Sequence, residues 1–160
     1  MDSTLGRIIA TLLTLIALAG VAYAGYQGYQ AYSVGNQISA VQQIAQGVKG
    51  LYGGSPNYAT LTNTVVVDAN IVPSSMNNGG TIQDTWGGTV NIGPDATYSN
   101  AFDITLAAVP QEACVKLATG MASSDVSING GANIASPVDP GTAAAQCAAG
   151  NGNSILFVFE

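Results

Sequence analysis

Ionisable and nucleophilic side chains are few in this sequence, and their types limit the chemistry they can do. The 160 residues include no His, and Asp and Glu total nine. Without His the chain lacks the commonest general base and zinc ligand, which excludes a Ser-His-Asp triad. The carboxylates of the C-terminal two thirds are scattered singly, with no spacing typical of an acid–base pair, at Asp68, Asp84, Asp95, Asp103, Glu112, Asp125 and Asp139. We therefore expect no enzymatic activity, no cofactor and no metal site.

Cations are even rarer than carboxylates, and this excludes one class of partner. Arg7, Lys49 and Lys116 are the three basic residues, and the net charge is −6. A nucleic-acid-binding protein neutralises a row of phosphates with Lys and Arg, which this chain cannot do. We expect no nucleic-acid partner.

The two cysteines, Cys114 and Cys147, form the remaining reactive pair. An even number of cysteines in a chain that looks exported predicts one disulfide, and two buried free thiols are the alternative. The bond would join a short predicted helix to the segment before the last predicted strand. Closing a loop of this length stabilises a fold by ~3–4 kcal/mol in the chain-entropy estimate.

The N-terminal residues 6–32, GRIIATLLTLIALAGVAYAGYQGYQAY, form a long apolar run without charge after Arg7. Its apolar part is at the short end of the ~17–25 residues that a membrane-spanning helix needs. Three interpretations compete. The run is a signal peptide with an Ala22-Tyr23-Ala24 cleavage site, a simple membrane anchor, or one end of a long helix that is first an anchor and then the core of a polymer.

The residues that follow favour the long helix. Apolar side chains recur every three or four positions from Val34 to Leu51, with Gln and Lys on the other face and no Pro until Pro56. We predict a helix over residues 1–52, with 1–25 as membrane anchor or filament core and 26–52 amphipathic. Its predicted core-forming side chains are Ile8, Ile9, Leu12, Leu13, Leu15, Ile16 and Leu18. Gly20, Gly25 and Gly28 either allow the helix to unwind or allow close packing of helices.

Residues 53–160 are rich in Gly, Ser, Thr and Asn and predict a separate globular head. Strands are expected at 89–92, 101–109, 125–130 and 153–160, the last inside a sheet because both its faces are apolar. A short helix is expected at 110–120, and 131–153 reads as a long loop in which Asp139-Pro140 marks a turn. The fold class is therefore α+β, a long N-terminal helix packed on a small antiparallel sheet with a disulfide-stapled head.

Trp86, the only Trp, lies next to Gly87-Gly88. Two roles are open for it, a platform on which a sugar stacks or an anchor in the core of the head, and the second is the more common role of a single Trp.

Three segments of the head, read together with the long helix, resemble a known family. YGGSPNYATLTNTVVVDANIVPSSM at 52–76, DTWGG at 84–88 and VPQEACVKL at 109–117 are similar to type IV pilins of the type IVb class. The closest likeness is to PilS-type major pilins of conjugative and enteric thin pili. The resemblance covers most of the chain and leaves 121–153 as the variable part.

The resemblance implies that the subunit is held first in the inner membrane and then in an extracellular filament. A prepilin peptidase removes a basic leader and methylates the new N-terminus, here Met1. The subunit waits in the bacterial inner membrane until an assembly ATPase and a platform protein add it to a helical homopolymer, which leaves the cell through an outer-membrane secretin. In the extracellular pilus the helices pack centrally and melt in part, which fits Gly20, Gly25 and Gly28. The Cys114–Cys147 region is displayed on the surface.

One position departs from the family pattern. These pilins carry Glu at the fifth mature position, where it pairs with the N-terminal amine of a neighbour, whereas this sequence has Leu5 and its nearest carboxylate is Asp2. Asp2 either takes over this docking charge or merely occupies the favourable N-terminus of a helix.

The expected function is that of a major pilin used in conjugative contact or adhesion. A membrane-anchored monomeric adhesin and a minor pilin or pseudopilin of a secretion system are the alternatives.

Overall fold

The computed structural model describes the backbone of residues 2–53 and 57–160, and the side chains of all of these except 2–8, 10 and 20–31. The chain divides into two compact units, Met1–Ser33 and Val34–Glu160. Helix α1 runs from Asp2 to Leu51. It ends where the Tyr52 amide donates to the Val48 carbonyl at 3.0 Å, just before the Gly-rich segment that the sequence predicts as its stop.

The second unit contains, besides the end of α1, an antiparallel sheet and three short helices. Its elements are α2 (Asn63–Asp68), β1 (Asn77–Asn78), β2 (Thr81–Ile82), β3 (Val90–Pro94), β4 (Phe102–Val109), α3 (Gln111–Gly120), β5 (Asp125–Ile128), β6 (Ile134–Ala135), α4 (Pro140–Gln146) and β7 (Asn153–Phe159). Strands β1 and β2 form a small hairpin, and the main sheet has the order β3-β4-β7-β5-β6. The α+β prediction is confirmed.

Strand β7 lies in the middle of the main sheet, as its sequence predicts. It pairs antiparallel with β4 on one side and with β5 on the other. Ile155 and Phe157 are buried in the core, and Val158 on the opposite face is buried as well. A strand apolar on both faces is stable only where both faces are covered, which explains why the last segment of the chain takes the central position.

Within the second unit, the end of α1 supplies one wall of the core. Val41, Ile44 and Val48 are completely buried, at the helical spacing that the sequence predicts. Gly47 lies against Ile71 so closely that an added Cβ would come within 2.3 Å of the Ile71 Cγ2 atom. The predicted apolar stripe stops one turn early, because Leu51 is half exposed.

The segment 131–153 differs from the predicted loop, since it contains β6 and α4. Asp139 is the N-cap of α4 rather than part of a simple turn, because its carboxylate accepts a hydrogen bond from the Thr142 amide at 3.0 Å. Pro140 occupies the first turn, where the absence of an amide hydrogen costs nothing. The predicted turn at Asp139-Pro140 is therefore wrong, and the two residues start a helix.

Candidate functional site

The first part of α1 carries an uncovered apolar surface. The described Leu and Ile side chains there are each more than half exposed: Ile9, Leu12, Leu13, Leu15, Ile16 and Leu18. At 100° per residue these positions point to all sides of the helix, so the surface is apolar all round. Such a helix is expected inside a protein core, an assembly or a lipid phase, since an exposed apolar surface of this size marks an interaction site.

The Thr14 hydroxyl in this stretch makes a hydrogen bond within the helix. The Thr14 hydroxyl donates to the Thr11 carbonyl at 2.8 Å, one turn earlier. A hydroxyl that bonds its own helix can enter apolar surroundings without leaving a polar group unpaired. The threonine is therefore compatible with a fully covered helix.

Several predicted site residues fall outside what the structure describes. Met1 and the side chains of Asp2 and Ile8 lie outside the described residues, as do the surroundings of the glycines at 20, 25 and 28. The backbone at these three glycines is part of the helix α1. Among the residues that the structure describes, no helix reaches the length and hydropathy of a membrane span.

Gln37 joins the helix to a loop of the head. It is 1% exposed, so the prediction that the Gln side chains lie on the polar face of α1 is wrong for this residue. Its side-chain oxygen accepts hydrogen bonds from the Thr85 amide at 3.0 Å and from the Thr85 hydroxyl at 2.9 Å. Its amide nitrogen donates to the Met76 sulfur at 3.7 Å. A buried amide needs such partners, so Gln37 fixes the position of the helix against the loop.

The loop that Gln37 binds is the DTWGG segment. One carboxylate oxygen of Asp84 accepts from the Trp86 amide at 2.9 Å and the Gly88 amide at 2.7 Å. Gly87 has φ +83°, which favours glycine. Gly88 has no room for a side chain, because an added Cβ would lie 1.8 Å from the Ala107 carbonyl oxygen. Three residues of the segment are therefore explained by the shape of this turn.

Trp86 packs against the core of the head and is partly buried. Its indole nitrogen is buried and has no hydrogen-bond partner in the described part of the chain. A sugar-stacking platform needs an open ring face, so this placement supports the interpretation of Trp86 as a core anchor.

The disulfide predicted from the two cysteines is present. Cys114 on α3 and Cys147, the C-cap residue of α4, are bonded with their Cα atoms 6.0 Å apart. Both cysteines are buried, and the bond ties α3 to α4 across 33 residues of sequence. It therefore bounds a segment that contains β5, β6 and α4.

Two asparagines make hydrogen bonds to each other and to the chain around the same segment. Asn153 is completely buried, and its amide donates to the carbonyls of Val109 at 3.1 Å and Ala148 at 2.9 Å. Its side-chain oxygen accepts from the Ala148 amide at 2.7 Å and from the Asn129 side chain at 2.9 Å. All hydrogen-bonding positions of the Asn153 side chain are thus used. We call Asn129 and Asn153 the asparagine pair.

Charged groups in the described residues form no ion pairs. The pKa values of two carboxyl groups are raised. Burial raises the pKa of Asp84, against the effect of its backbone hydrogen bonds. Burial, then a side-chain hydrogen bond to Asp95 and the charge of Asp95, raises the pKa of Asp103 to about 7. No group of three or more His, Cys, Asp or Glu in the described chain is arranged to hold a metal.

The structure brings the two predicted cysteines together and leaves exposed those predicted helix residues whose side chains it describes, Ile9 to Leu18. Two features are missed by reasoning from the sequence, the buried Gln37 and the asparagine pair. Gln37 stands three residues after Val34 and four before Val41, so the periodicity of α1 could have indicated its burial. Asn129 stands in an Asn-Gly turn signal, but its partner Asn153 is 24 residues away.

Comparison with known proteins gives the family. The family model described as "PilS N terminal" matches residues 29–160. The major structural subunits of the bundle-forming pilus from Escherichia coli O127:H6 and O111:H- are each 33% identical over 88 residues. That match covers 52% of this chain and 45% of each relative, so the chain spans less than half the length of these relatives.

Solved structures give the same fold. The crystal structure of the type IVb pilin from Salmonella typhi has a TM-score of 0.65 at 26% identity, covering 79% of this chain and 99% of that one. The NMR structure of PilS from Salmonella typhi has a TM-score of 0.56 at 28% identity, covering 79% and 95%. TcpA from Vibrio cholerae, at 13% identity, shares the fold with a TM-score of 0.60 and coverages of 81% and 99%.

Pilins are structural proteins rather than enzymes, which agrees with the small number of reactive side chains in the sequence. The family model covers all of the second unit, including the DTWGG loop, the disulfide and the asparagine pair. The chain belongs to the PilS family and is a pilin of the type IVb class.

Proposed function

We propose that this pilin is the major structural subunit of a type IV pilus. It polymerises with copies of itself into an extracellular filament on the cell surface. The single observation that carries the proposal is the apolar surface of α1 from Ile9 to Leu18, which is exposed in the single chain. The bundle-forming pilus subunits of Escherichia coli support it as relatives whose description is that of a major structural subunit.

Burial of this surface supplies the driving force for assembly. Covering one Leu or Ile side chain contributes roughly 1.5–3 kcal/mol, and six are exposed on the described part of the helix: Ile9, Leu12, Leu13, Leu15, Ile16 and Leu18. Part of that gain is lost to the ordering of subunits. In a filament the helices cover each other, which is the environment that an apolar helix requires. Residues 53–160 then form the outer head, with the end of α1 as one wall of its core.

Before assembly the same surface needs another apolar environment, and the bacterial inner membrane provides it. In this proposal residues 1–25 hold the subunit there while a prepilin peptidase processes and methylates the N-terminus at Met1. An assembly ATPase, a platform protein and an outer-membrane secretin then act on it. These partners follow from the family resemblance.

Asp2 and the glycines complete the proposal. Asp2 takes the docking role that Glu has at position five in other pilins, because a cationic amine in an apolar core requires an anionic partner. Gly20, Gly25 and Gly28 mark where α1 unwinds in the filament, since each costs a helix about 1 kcal/mol relative to Ala. The filament is then used for conjugative contact or adhesion.

Cryo-EM of filaments sheared from cells that express the chain with its assembly machinery tests the proposal. We expect a helical filament with residues 1–50 in its core and an unwound segment between Gly20 and Gly28. Replacing Leu13 and Ile16 by Asp is expected to abolish the filament while the subunit is still made. The matched control is Ala144→Asp, which adds a charge to an exposed position of α4.

Three outcomes would contradict parts of the proposal. Monomers in the membrane, with no filament, would favour the membrane-anchored adhesin. A few copies at the tip of a filament made of another subunit would identify a minor pilin. A filament in which Asp2 contacts no amine would remove the docking role and leave the rest intact.

A further inference from the structure

The chain contains three Asn-Gly dipeptides, at Asn78-Gly79, Asn129-Gly130 and Asn151-Gly152. In such a pair the backbone nitrogen of Gly can attack the side-chain carbonyl carbon of Asn, because Gly has no Cβ to hinder the approach. The reaction requires the Asn side chain to turn toward the following nitrogen. Hydrogen bonds that hold the side chain elsewhere therefore decide which of the three reacts.

Asn129 is held by three hydrogen bonds. Its amide donates to the Gln146 carbonyl at 2.9 Å and to the Asn153 side chain at 2.9 Å. Its side-chain oxygen accepts from the Ser154 amide at 2.9 Å. Attack by the Gly130 nitrogen would break all of these bonds, which join the turn after β5 to α4 and β7. The reaction is blocked here as long as the head is folded.

Asn78 is held by one bond. Its amide donates to the side-chain oxygen of Gln83 at 2.9 Å, across the β1–β2 hairpin. Both partners are on the surface, where water competes for the bond. Asn78 is therefore restrained less than Asn129.

Asn151 has no such restraint. It is exposed, lies between α4 and β7, and its side chain makes no hydrogen bond within the part of the chain that the structure describes. Gly150 before it has φ +95°, and Gly152 after it is exposed and has open space where a Cβ would be. The side chain and the following nitrogen are both free to reach the geometry of attack.

We propose that Asn151 is a site of spontaneous deamidation in the folded pilin. The Gly152 nitrogen forms a bond with the Asn151 side-chain carbon, the bond from that carbon to the amide nitrogen breaks, and ammonia leaves with the displaced proton. Water then opens the five-membered imide at one of its two carbonyls. The products are Asp, or isoaspartate with the main chain passing through the former side chain. No oxidant, reductant or enzyme is needed.

The modification changes the charge of the segment between Cys147 and β7. Each event replaces a neutral amide by a carboxylate, which takes the net charge of the chain from −6 to −7. Position 151 is four residues from Cys147 and two from Asn153, so the new charge appears close in sequence to the disulfide and to the buried Asn153. A filament whose subunits are not replaced would accumulate this charge with age.

The test is incubation of the full folded chain in detergent at mildly alkaline pH, followed by peptide mass spectrometry of all three sites. We expect deamidation fastest at Asn151, slower at Asn78, and roughly 10²-fold slower at Asn129, since misplacement of reacting groups costs a rate of that order. Equal rates at Asn151 and Asn129 in the folded chain would overturn the proposal, as would a faster rate at Asn78 than at Asn151.

Two controls distinguish the effect of the folded structure on the deamidation rate from the effect of the local sequence. Gly152→Ala fits the fold, because an added Cβ meets nothing within 4 Å, and it should slow the reaction at Asn151 alone. In the reduced, unfolded chain the three sites should react at similar rates. If Asn129 stays unreactive after unfolding, its protection comes from the local sequence, and the structural part of the proposal is wrong.

Discussion

The DTWGG turn can form because Gly88 has no Cβ atom. A Cβ on Gly88 would lie 1.8 Å from the Ala107 oxygen, 2.7 Å from the Ala107 carbonyl carbon and 2.7 Å from an Asp84 carboxylate oxygen. Two of these contacts are with the backbone of β4 at Ala107, whose amide donates to the Thr89 carbonyl at 3.1 Å. The residue is therefore fixed by sterics, whereas Gly87 is fixed by its positive φ.

We predict that Gly88→Ala destabilises the head by about 3 kcal/mol or more, at or above the upper end of the usual cost of overpacking. The backbone has to shift, and the two hydrogen bonds to Asp84 are then strained. Denaturant unfolding of the full chain, followed by the fluorescence of Trp86, measures the change.

Gly93→Ala is the matched control for this prediction. Gly93 also lies in the sheet, but an added Cβ there meets nothing within 4 Å. It should change stability little, since Ala is no worse than Gly in a strand. Equal losses in the two variants would mean that the close contact at Gly88 is not what the turn requires.

Among the elements, α4 is joined to β7 by the asparagine pair and to α3 by the disulfide. The two connections differ in kind. The disulfide acts mainly on the unfolded chain by closing a loop. Asn153 acts on the folded chain, because it satisfies the polar groups of Val109, Ala148 and Asn129 where water has no access to it.

We predict that Asn153→Ala lowers the free energy of unfolding by ~3 kcal/mol, with the disulfide still formed. The reason is that several buried partners lose their hydrogen bonds at once, at about 1–3 kcal/mol for each group left unsatisfied. Denaturant unfolding under non-reducing conditions measures the loss. Hydrogen exchange should show faster exchange at the Ala148 amide.

Asn91→Ala controls for the loss of an amide from a strand, because Asn91 is exposed on β3. It should cost little. A small effect at Asn153 would indicate that the disulfide alone fixes the segment.

How far each element can be predicted depends on where its stabilising contacts lie. Strand β7 and the apolar stripe of α1 are predicted correctly, because the local pattern of apolar residues indicates which positions are buried. Helix α4 is missed, since its Gly, Thr and Ala residues carry no apolar periodicity and its start signal, Asp139-Pro140, also suits a turn. Asn153 is missed because its partners lie up to 44 residues away. The partner of Gln37 lies 48 residues away, but the helical spacing of Gln37 from Val34 and Val41 already indicates its burial.

For the whole molecule, the excess of carboxylates is the dominant electrostatic feature. The net charge is −6, from nine Asp and Glu residues against three Lys and Arg. Two effects of pH follow. Ionised carboxylates repel one another across the surface, and this repulsion is screened by salt. The raised pKa values of Asp84 and Asp103 act locally, in places that salt screens less.

The sign of the local effect follows from proton binding. Both carboxyls have a folded-state pKa above the usual value of 3.8, and that of Asp103 is about 7. The folded chain therefore binds more protons than the unfolded chain between these values. The stability that this contributes is complete below pH ~4 and is lost as pH rises through the folded pKa.

We predict that the full chain loses stability as pH rises from 4 to 8, and that high salt restores only part of the loss. Asp103→Asn should flatten the remaining slope at high salt, because an amide cannot ionise beside Asp95. It should therefore be more stable than the parent chain at pH 8 and not at pH 4. Thermal unfolding followed by Trp86 fluorescence, at two salt concentrations, separates the two effects.

Asp68→Asn provides the comparison, since it removes one charge from an exposed site at the end of α2. Its benefit at pH 8 should disappear in high salt, whereas that of Asp103→Asn should persist. If both variants behave alike, the repulsion is general and the position beside Asp95 has no special effect. If neither changes the slope, the groups that titrate on unfolding lie elsewhere in the chain.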